Sequence, residues 1–169
     1  MNKTIHLIRQ SAESIAGVLL ILCTSIGAYN AIVRYAGKHL SLALASNTLI
    51  EVQWYLFSLI FLIGGVSTFI GNEHIRIDIL YEKWSIKRKL IVNIIGNAIF
   101  FVPFFSVITI LSYDYFSRSW SILEASPDPG GLPRYLVKGF MPMVFFLFLI
   151  VGVLTLINQI SELIKTKKQ

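Results

Sequence analysis

The sequence predicts an all-α integral membrane protein whose four transmembrane helices form a single domain over residues 1–169. Three observations support this. The first two are that 55% of the residues are hydrophobic and that only 14% are charged, whereas a soluble domain carries about 25% charged residues. A third is that every charged residue lies outside four long neutral runs. These runs cover residues 14–33, 52–71, 90–113 and 139–161.

Each neutral run is long enough to cross a membrane as a helix. An α-helix rises about 1.5 Å per residue, so about 20 residues span a hydrocarbon core of about 30 Å. Inside that core each backbone amide needs a partner within its own segment, which favours helices. With their polar ends, the predicted spans cover about residues 14–35, 51–72, 89–114 and 133–163.

The first span is preceded by Lys3 and Arg9, as the apolar part of a signal peptide would be. We nevertheless predict that it stays in the protein, because its apolar stretch is longer than that of a signal peptide. In addition, Arg34 and Lys38 separate it from the only sequence that resembles a cleavage site. The neutral stretch 39–50 that follows is too short to span and is predicted to be a loop or an interfacial segment.

The connection between the second and third spans mixes isoleucines at helical spacing with acidic and basic residues. This pattern predicts a short amphipathic helix over about residues 75–86 that lies in the membrane interface. An extended conformation over residues 75–79 is the alternative.

The connection between the third and fourth spans contains Ser-Pro-Asp-Pro-Gly-Gly-Leu-Pro at residues 126–133. Proline fixes φ and glycine permits positive φ, so this segment is predicted to be an ordered turn. Pro133 suits the first turn of the helix that follows. Pro103 and Pro142 lie inside the third and fourth spans, where each removes a backbone donor and is predicted to kink its helix.

The basic residues predict the orientation of the chain in the membrane. The two tails and the second connection together carry 10 Lys and Arg residues, and the other two connections carry 5. The positive-inside rule therefore predicts cytoplasmic termini and a periplasmic turn at residues 126–133. The net charge of +6 on so apolar a chain favours an anionic membrane surface, not nucleic acid, as its electrostatic partner.

The spans carry no pattern of an enzyme, a haem site or a zinc site. No span contains histidine, and Cys23 is the only cysteine. No span has a charged residue at its centre, where ion-coupled transporters usually place one. We therefore predict a chain that is not an enzyme, binds no cofactor or metal of its own, and works as a subunit of a larger assembly.

Glu51 is the most informative acidic residue, because it opens the second neutral run. One interpretation is an ordinary acid at a helix N-terminus beside interfacial aromatic residues. The other is an ion pair with Arg34 at an interface with a partner protein. On the second interpretation the predicted interface residues are Arg34, Tyr35, Glu51 and Trp54.

Several motifs, in the predicted order, resemble the small membrane subunit (DctQ-like) of tripartite ATP-independent periplasmic (TRAP) transporters. The first two are Asn-Ala-Ile-Val-Arg-Tyr at 30–35 and Glu-Val-Gln-Trp-Tyr-Leu-Phe at 51–57. The third, Asn-Glu-His-Ile-Arg-Ile-Asp at 72–78, resembles the cytoplasmic signature of the family and contains His74, Arg76 and Asp78. The segment 119–133, followed by Lys138 and Pro142, is similar to a subgroup with a longer periplasmic loop.

The resemblance implies a scaffold subunit of a sodium-coupled secondary transporter in the bacterial inner membrane. Its implied partners are lipid, a large elevator-type subunit that holds the sodium and substrate sites, and a periplasmic binding protein that delivers a carboxylate or sulfonate. Loop residues that would contact the binding protein are Glu124, Pro129, Gly130, Gly131, Pro133 and Lys138. The alternatives are a self-sufficient homodimeric exporter, which needs a membrane-embedded acid, and a respiratory-complex anchor, which needs histidines in its spans.

Overall fold

The computed structural model of the chain describes residues 3–40, 47–73, 81 and 83–167. These residues form four helices, each with an apolar stretch long enough to cross a membrane, which confirms the predicted all-α fold. No β-strand occurs within the described ranges. The helices are α1 (Lys3–Leu40), α2 (Asn47–Gly71), α3 (Ile86–Ser121) and α4 (Arg134–Lys167).

The helices form two antiparallel hairpins, α1 with α2 and α3 with α4, and the hairpins meet where α2 packs against α4. The main packing therefore follows the order α1, α2, α4, α3. We call the end that carries residues 122–133 the loop end. The terminal end is the opposite one, where α1 begins and α4 ends.

The chain exposes more surface than a compact protein of its size. Its accessible surface is 11541 Å², whereas a compact monomer of 19.1 kDa exposes about 8,400 Å². Most of the exposed side chains on the four helices are large and apolar. These exposed apolar side chains form surface that lipid or partner proteins must cover.

The most deeply buried side chains lie at the contact between α2 and α4. Val66 on α2 and Val151 on α4 are completely buried there. Phe148 on α4 stacks on Phe105 of α3, with ring centroids 4.6 Å apart. Because lipid is as apolar as these side chains, close packing stabilises the contact more than removal from water does.

Helix α3 changes its winding in the middle. It is α-helical over Ile86–Gly96, π-helical over Asn97–Phe101 and α-helical again over Val102–Ser121. Pro103 lies just beyond the π turn and has no backbone N–H to donate. At this point the helix widens, and the N–H of Val102 bonds to the carbonyl of Asn97, five residues back. A kink at Pro103 was predicted, and what the structure shows is a π turn just before that residue.

The π turn lies directly against α4. Nδ2 of Asn97 donates a hydrogen bond to the carbonyl of Gly152, at 3.0 Å. A Cβ atom on Gly152 would lie 2.7 Å from two ring atoms of Phe101. Only glycine therefore fits at position 152 without movement of the neighbouring helix.

At the terminal end, α2 stops in a Schellman motif. Asn72 has a φ of 57°, and the N–H of Glu73 bonds to the carbonyl of Thr68, at 3.1 Å. The carboxylate of Glu73 then binds Arg9 of α1, at 2.5 Å, so the start of α1 and the end of α2 lie together. The interfacial helix predicted over about residues 75–86 lies mostly outside the described residues.

Candidate functional site

Buried polar contacts at the loop end centre on Glu51, near the start of α2. The residue is only 6% exposed. Its carboxylate accepts a hydrogen bond from the backbone N–H of Leu132, at 2.5 Å, and another from the hydroxyl of Ser126. Arg134 lies close enough to contribute positive charge. Glu51 therefore binds the loop between α3 and α4 to α2.

The loop held by Glu51 is an ordered turn, the conformation predicted from its prolines and glycines. The N–H of Ser126 bonds to the carbonyl of Leu132 at 3.0 Å, which closes the base of the turn. At its tip Gly130 has a φ of 74°, a conformation that favours glycine. The hydroxyl of Thr48 on α2 donates to the carbonyl of Gly130, at 2.5 Å. The exposed part of the turn is residues 127–130.

A second acidic residue, Glu124, joins the end of α3 to the start of α4. Its carboxylate accepts hydrogen bonds from Nζ of Lys138, at 2.5 Å, and from the hydroxyl of Ser119, at 2.7 Å. These two donors, Lys138 foremost, lower the pKa of Glu124 below its ordinary value. Nζ of Lys138 also lies 4.2 Å from the ring centroid of Tyr115, which adds a cation–π contact.

The predicted interface residues have different surroundings from one another. Tyr35 and Trp54 are 69% and 68% exposed, and Arg34 is also exposed. Glu51 bonds to the loop and not to Arg34, so the structure does not support the ion pair between them. A role for these four residues at a partner interface stays a prediction.

The other predicted site residues divide between the loop and the undescribed part of the chain. Pro129 and Gly130 lie in the exposed tip of the turn, and Gly131 and Pro133 lie at its partly buried base. His74, Arg76 and Asp78 fall outside the described residues.

Sequence reasoning found Glu51 and the turn but did not connect them. Ser126 and the Leu132 N–H were missed because they lie 75 and 81 residues from Glu51 along the chain. The signal that was available is topological, since the predicted spans place Glu51 and residues 126–133 at the same end. Within the described ranges, no group of three or more His, Cys, Asp or Glu side chains is placed to hold a metal ion.

Comparison with known proteins gives one match. Residues 23–162 match the family described as "Tripartite ATP-independent periplasmic transporters, DctQ component", which is well over half of the chain. The matched region includes the turn together with Glu51, Glu124 and Lys138. Neither the comparison with curated proteins nor that with solved structures gave a match.

Proposed function

Because the chain belongs to the DctQ component family of TRAP transporters, we propose that it is the scaffold subunit of a sodium-coupled importer. In this proposal a large elevator-type membrane subunit moves the substrate, and the present chain widens the fixed part against which the elevator slides. A periplasmic binding protein delivers the substrate, an organic acid with a carboxylate or sulfonate group. Sodium and substrate bind to the large subunit in the bacterial inner membrane.

The placement of charged side chains carries the proposal. Glu51 is the only charged residue among the buried residues of the described ranges, and it lies near the start of α2. Its carboxylate is occupied by the hydroxyl of Ser126 and the N–H of Leu132. Ion-coupled transporters usually place a charged group at the middle of the membrane, and no charged residue lies in the middle of the described helices.

The same observation argues against a self-sufficient exporter. Such a protein needs a membrane-embedded acid that binds and releases protons. Here the candidate acid holds a loop in place, and Asp114 near the same end is exposed. The exposed large apolar side chains of the helices, by contrast, suit a subunit that a larger membrane protein covers.

Exposed side chains at the loop end of α1 and α2 support an interface with the large subunit there. Tyr35 and Trp54 project from the loop-end parts of α1 and α2, and Arg34 adds a positive charge. Aromatic residues and arginine often anchor protein interfaces. Trp54→Ala and Arg34→Gln should each reduce co-purification of the large subunit. If both variants recover it at wild-type levels, these residues are not part of the interface.

The exposed tip of the turn supports a contact with the periplasmic binding protein. Residues 127–130 are exposed, and the hydrogen bonds at the base of the turn hold them in one conformation. A fixed, exposed tip loses little conformational entropy when a soluble protein binds to it.

Reconstitution in liposomes tests the proposal as a whole. The small subunit alone should give no uptake, and uptake should require the large subunit, the binding protein and a sodium gradient together. A sodium ionophore is the control, because it should abolish uptake by the complete system. Substrate transport by the purified small subunit alone would overturn the scaffold function.

A further inference from the structure

A small groove on α3 crosses from the charged start of the helix into its apolar run. It has a volume of about 260 Å³ and is lined by Trp84, Arg88, Ile91 and Val92. Arg88 precedes the neutral run that begins at residue 90, whereas Ile91 and Val92 lie inside that run, one helical turn deeper. The groove therefore joins the level of lipid headgroups to the level of acyl chains. Its volume, that of about nine liquid water molecules, suits a short length of one acyl chain.

The groove faces away from the other helices. Successive residues turn by about 100° around an α-helix, and Leu90 and Asn93 line the cleft that α3 forms with α4. Arg88, Ile91 and Val92 therefore lie on the opposite side of α3. Because the helices pack in the order α1, α2, α4, α3, this side forms an outer edge of the molecule. The edge at α1 and α2, where we place the large subunit, is the other one.

Positive charge is concentrated beside the groove. Four basic residues and no acidic residue occur over 83–89, namely Lys83, Lys87, Arg88 and Lys89. The first three are exposed, and none of them forms an ion pair within the described ranges. Lys87 precedes Ile91 by four residues, so it lies on the same face as the groove. Exposed basic residues at the start of a membrane span attract anionic lipid headgroups.

Hydrogen bonds and ring contacts fix the polar end of the groove. The hydroxyl of Ser85 caps α3 by accepting from the backbone N–H of Arg88, at 3.4 Å. Nδ2 of Asn93 donates to the hydroxyl of Tyr81, at 2.9 Å, and the ring of Tyr81 lies 5.9 Å from that of Trp84. A groove that is already ordered loses little conformational entropy when a ligand binds.

We infer that this groove binds one anionic phospholipid, with its phosphate beside Arg88 and Lys87 and an acyl chain along Ile91 and Val92. The basic residues select a headgroup with net negative charge. Trp84 lies at the level of the membrane interface, where an indole ring is favourable. The inference concerns this chain alone and does not rest on the proposed function.

Native mass spectrometry of the purified full chain tests the inference, because it counts bound lipids during a titration. Phosphatidylglycerol should bind with about 5- to 30-fold higher affinity than phosphatidylcholine, as expected for contacts with one or two basic residues. Equal affinities for the two lipids would overturn the inference.

Arg88→Gln tests the charge at the groove and should lower the affinity for phosphatidylglycerol by about fivefold. Arg88→Lys keeps the charge and should keep the affinity. Lys165→Gln is the matched control, because Lys165 is an exposed basic residue at the same end of the molecule but outside the groove. An equal loss with Lys165→Gln would show diffuse attraction to the whole charged surface, which would overturn the site.

Val92→Phe tests the groove itself, since it fills the space for the acyl chain and leaves the basic residues in place. The preference for phosphatidylglycerol should fall below about twofold. Leu111→Phe is the control, because Leu111 is also an exposed residue of α3 and lies outside the groove. A preference that survives in Val92→Phe would mean that the groove does not hold the lipid.

The same titration with the co-purified large subunit separates this inference from the proposed function. Phosphatidylglycerol should still bind, because the groove lies on the edge away from α1 and α2. Loss of the lipid in the complex would show that the large subunit covers the groove, and it would overturn the inference. If wild type recovers no large subunit, the proposed function fails, and the titrations of the chain alone still decide whether the groove binds lipid.

Discussion

Glu51→Gln should loosen the turn while the chain stays in the membrane. The carboxylate offers two oxygen atoms, one to the Ser126 hydroxyl and one to the Leu132 N–H. A glutamine is neutral and offers only one oxygen, so at least one of these donors loses its charged acceptor, which should weaken the anchoring of the turn by about 1–3 kcal/mol. Hydrogen–deuterium exchange followed by mass spectrometry should therefore be faster over residues 126–132.

Asp114→Asn is the matched control for this experiment. Asp114 is an exposed acidic residue toward the loop end of α3, so the same chemical change there should leave the turn unaffected. Wild-type exchange rates in the Glu51→Gln variant would show that other contacts hold the turn.

The contact between Glu124 and Lys138 should make the loop end sensitive to acid. Lys138 and Ser119 lower the pKa of Glu124 below its ordinary value of 4.5. A lowered folded-state pKa stabilises the fold fully above pH 4.5, and the contribution disappears as the pH falls through the folded-state pKa. The fluorescence of Trp120, whose ring contacts Tyr135 at 5.1 Å, should report the change in a chain without the other two tryptophans.

Glu124→Gln is the control for the pH experiment. The variant has no carboxyl group to titrate at this position, so the part of the transition that is due to Glu124 should be absent. The same transition in both proteins would assign it to another group.

Among individual residues, the sequence predicts which side chains are unusual but not which atoms they contact. Glu51 could be selected from its position at the start of an apolar run, because that position alone is unusual for an acid. Its hydrogen-bond partners could not be predicted, because one of them is the backbone N–H of Leu132, and a pattern of side chains does not reveal a backbone donor. Asn97 was visible as a polar residue in an apolar run. That its amide bonds to the carbonyl of Gly152 became apparent only from the structure.

At the scale of the helices, the contact between α3 and α4 leaves no space for a side chain larger than that of Gly152. An added methyl group would lie 2.7 Å from two ring atoms of Phe101, which itself stacks on Phe69 at 3.9 Å. We expect Gly152→Ala to destabilise the chain by about 1–3 kcal/mol through overpacking. A lower midpoint of thermal unfolding in detergent should show this.

Gly17→Ala is the control for this prediction, because an added methyl group on that part of α1 meets nothing within 4 Å. Replacing a glycine inside a helix by alanine should stabilise the chain by up to about 1 kcal/mol. The two substitutions should therefore shift the midpoint in opposite directions. A rise with Gly152→Ala would mean that the π turn accommodates the methyl group.

The extents of the helices differ from those of the apolar runs for a physical reason. Hydropathy marks the part of a helix that lies in hydrocarbon, whereas the backbone hydrogen bonds continue into the interface. α1 thus begins at Lys3, well before the predicted start of the first span, and Ile5 in this extension is buried. Similarly, Pro103 predicted a kink in α3, whereas the structure shows a π turn beside it, where Asn97 bonds to Gly152.

For the whole molecule, the order α1, α2, α4, α3 was not predictable from composition. Helix faces that meet lipid and faces that meet another helix are both apolar, so periodicity does not separate them. The family was recognisable because its weak motifs occur in the right order along the chain. No single motif identifies a chemical reaction, which is consistent with a chain whose one buried acidic residue, Glu51, holds its own loop.

The orientation of the molecule in the membrane follows from its helix directions and its basic residues. Helices α2 and α4 both begin at the loop end, because Glu51 on α2 bonds to Leu132 just before α4. The turn should therefore lie on the opposite side of the membrane from both termini. The connections at the terminal end carry 10 basic residues against 5 at the loop end, which predicts that the terminal end is cytoplasmic.

Reporter fusions measure this orientation directly. Alkaline phosphatase, which is active only in the periplasm, should be active when fused after Leu123 and inactive when fused at Gln169. Green fluorescent protein at the same two positions is the control and should give the reverse pattern. Phosphatase activity at Gln169 would place the turn in the cytoplasm. The exposed residues 127–130 then could not meet a periplasmic protein, and the proposed contact with the binding protein would fail as well.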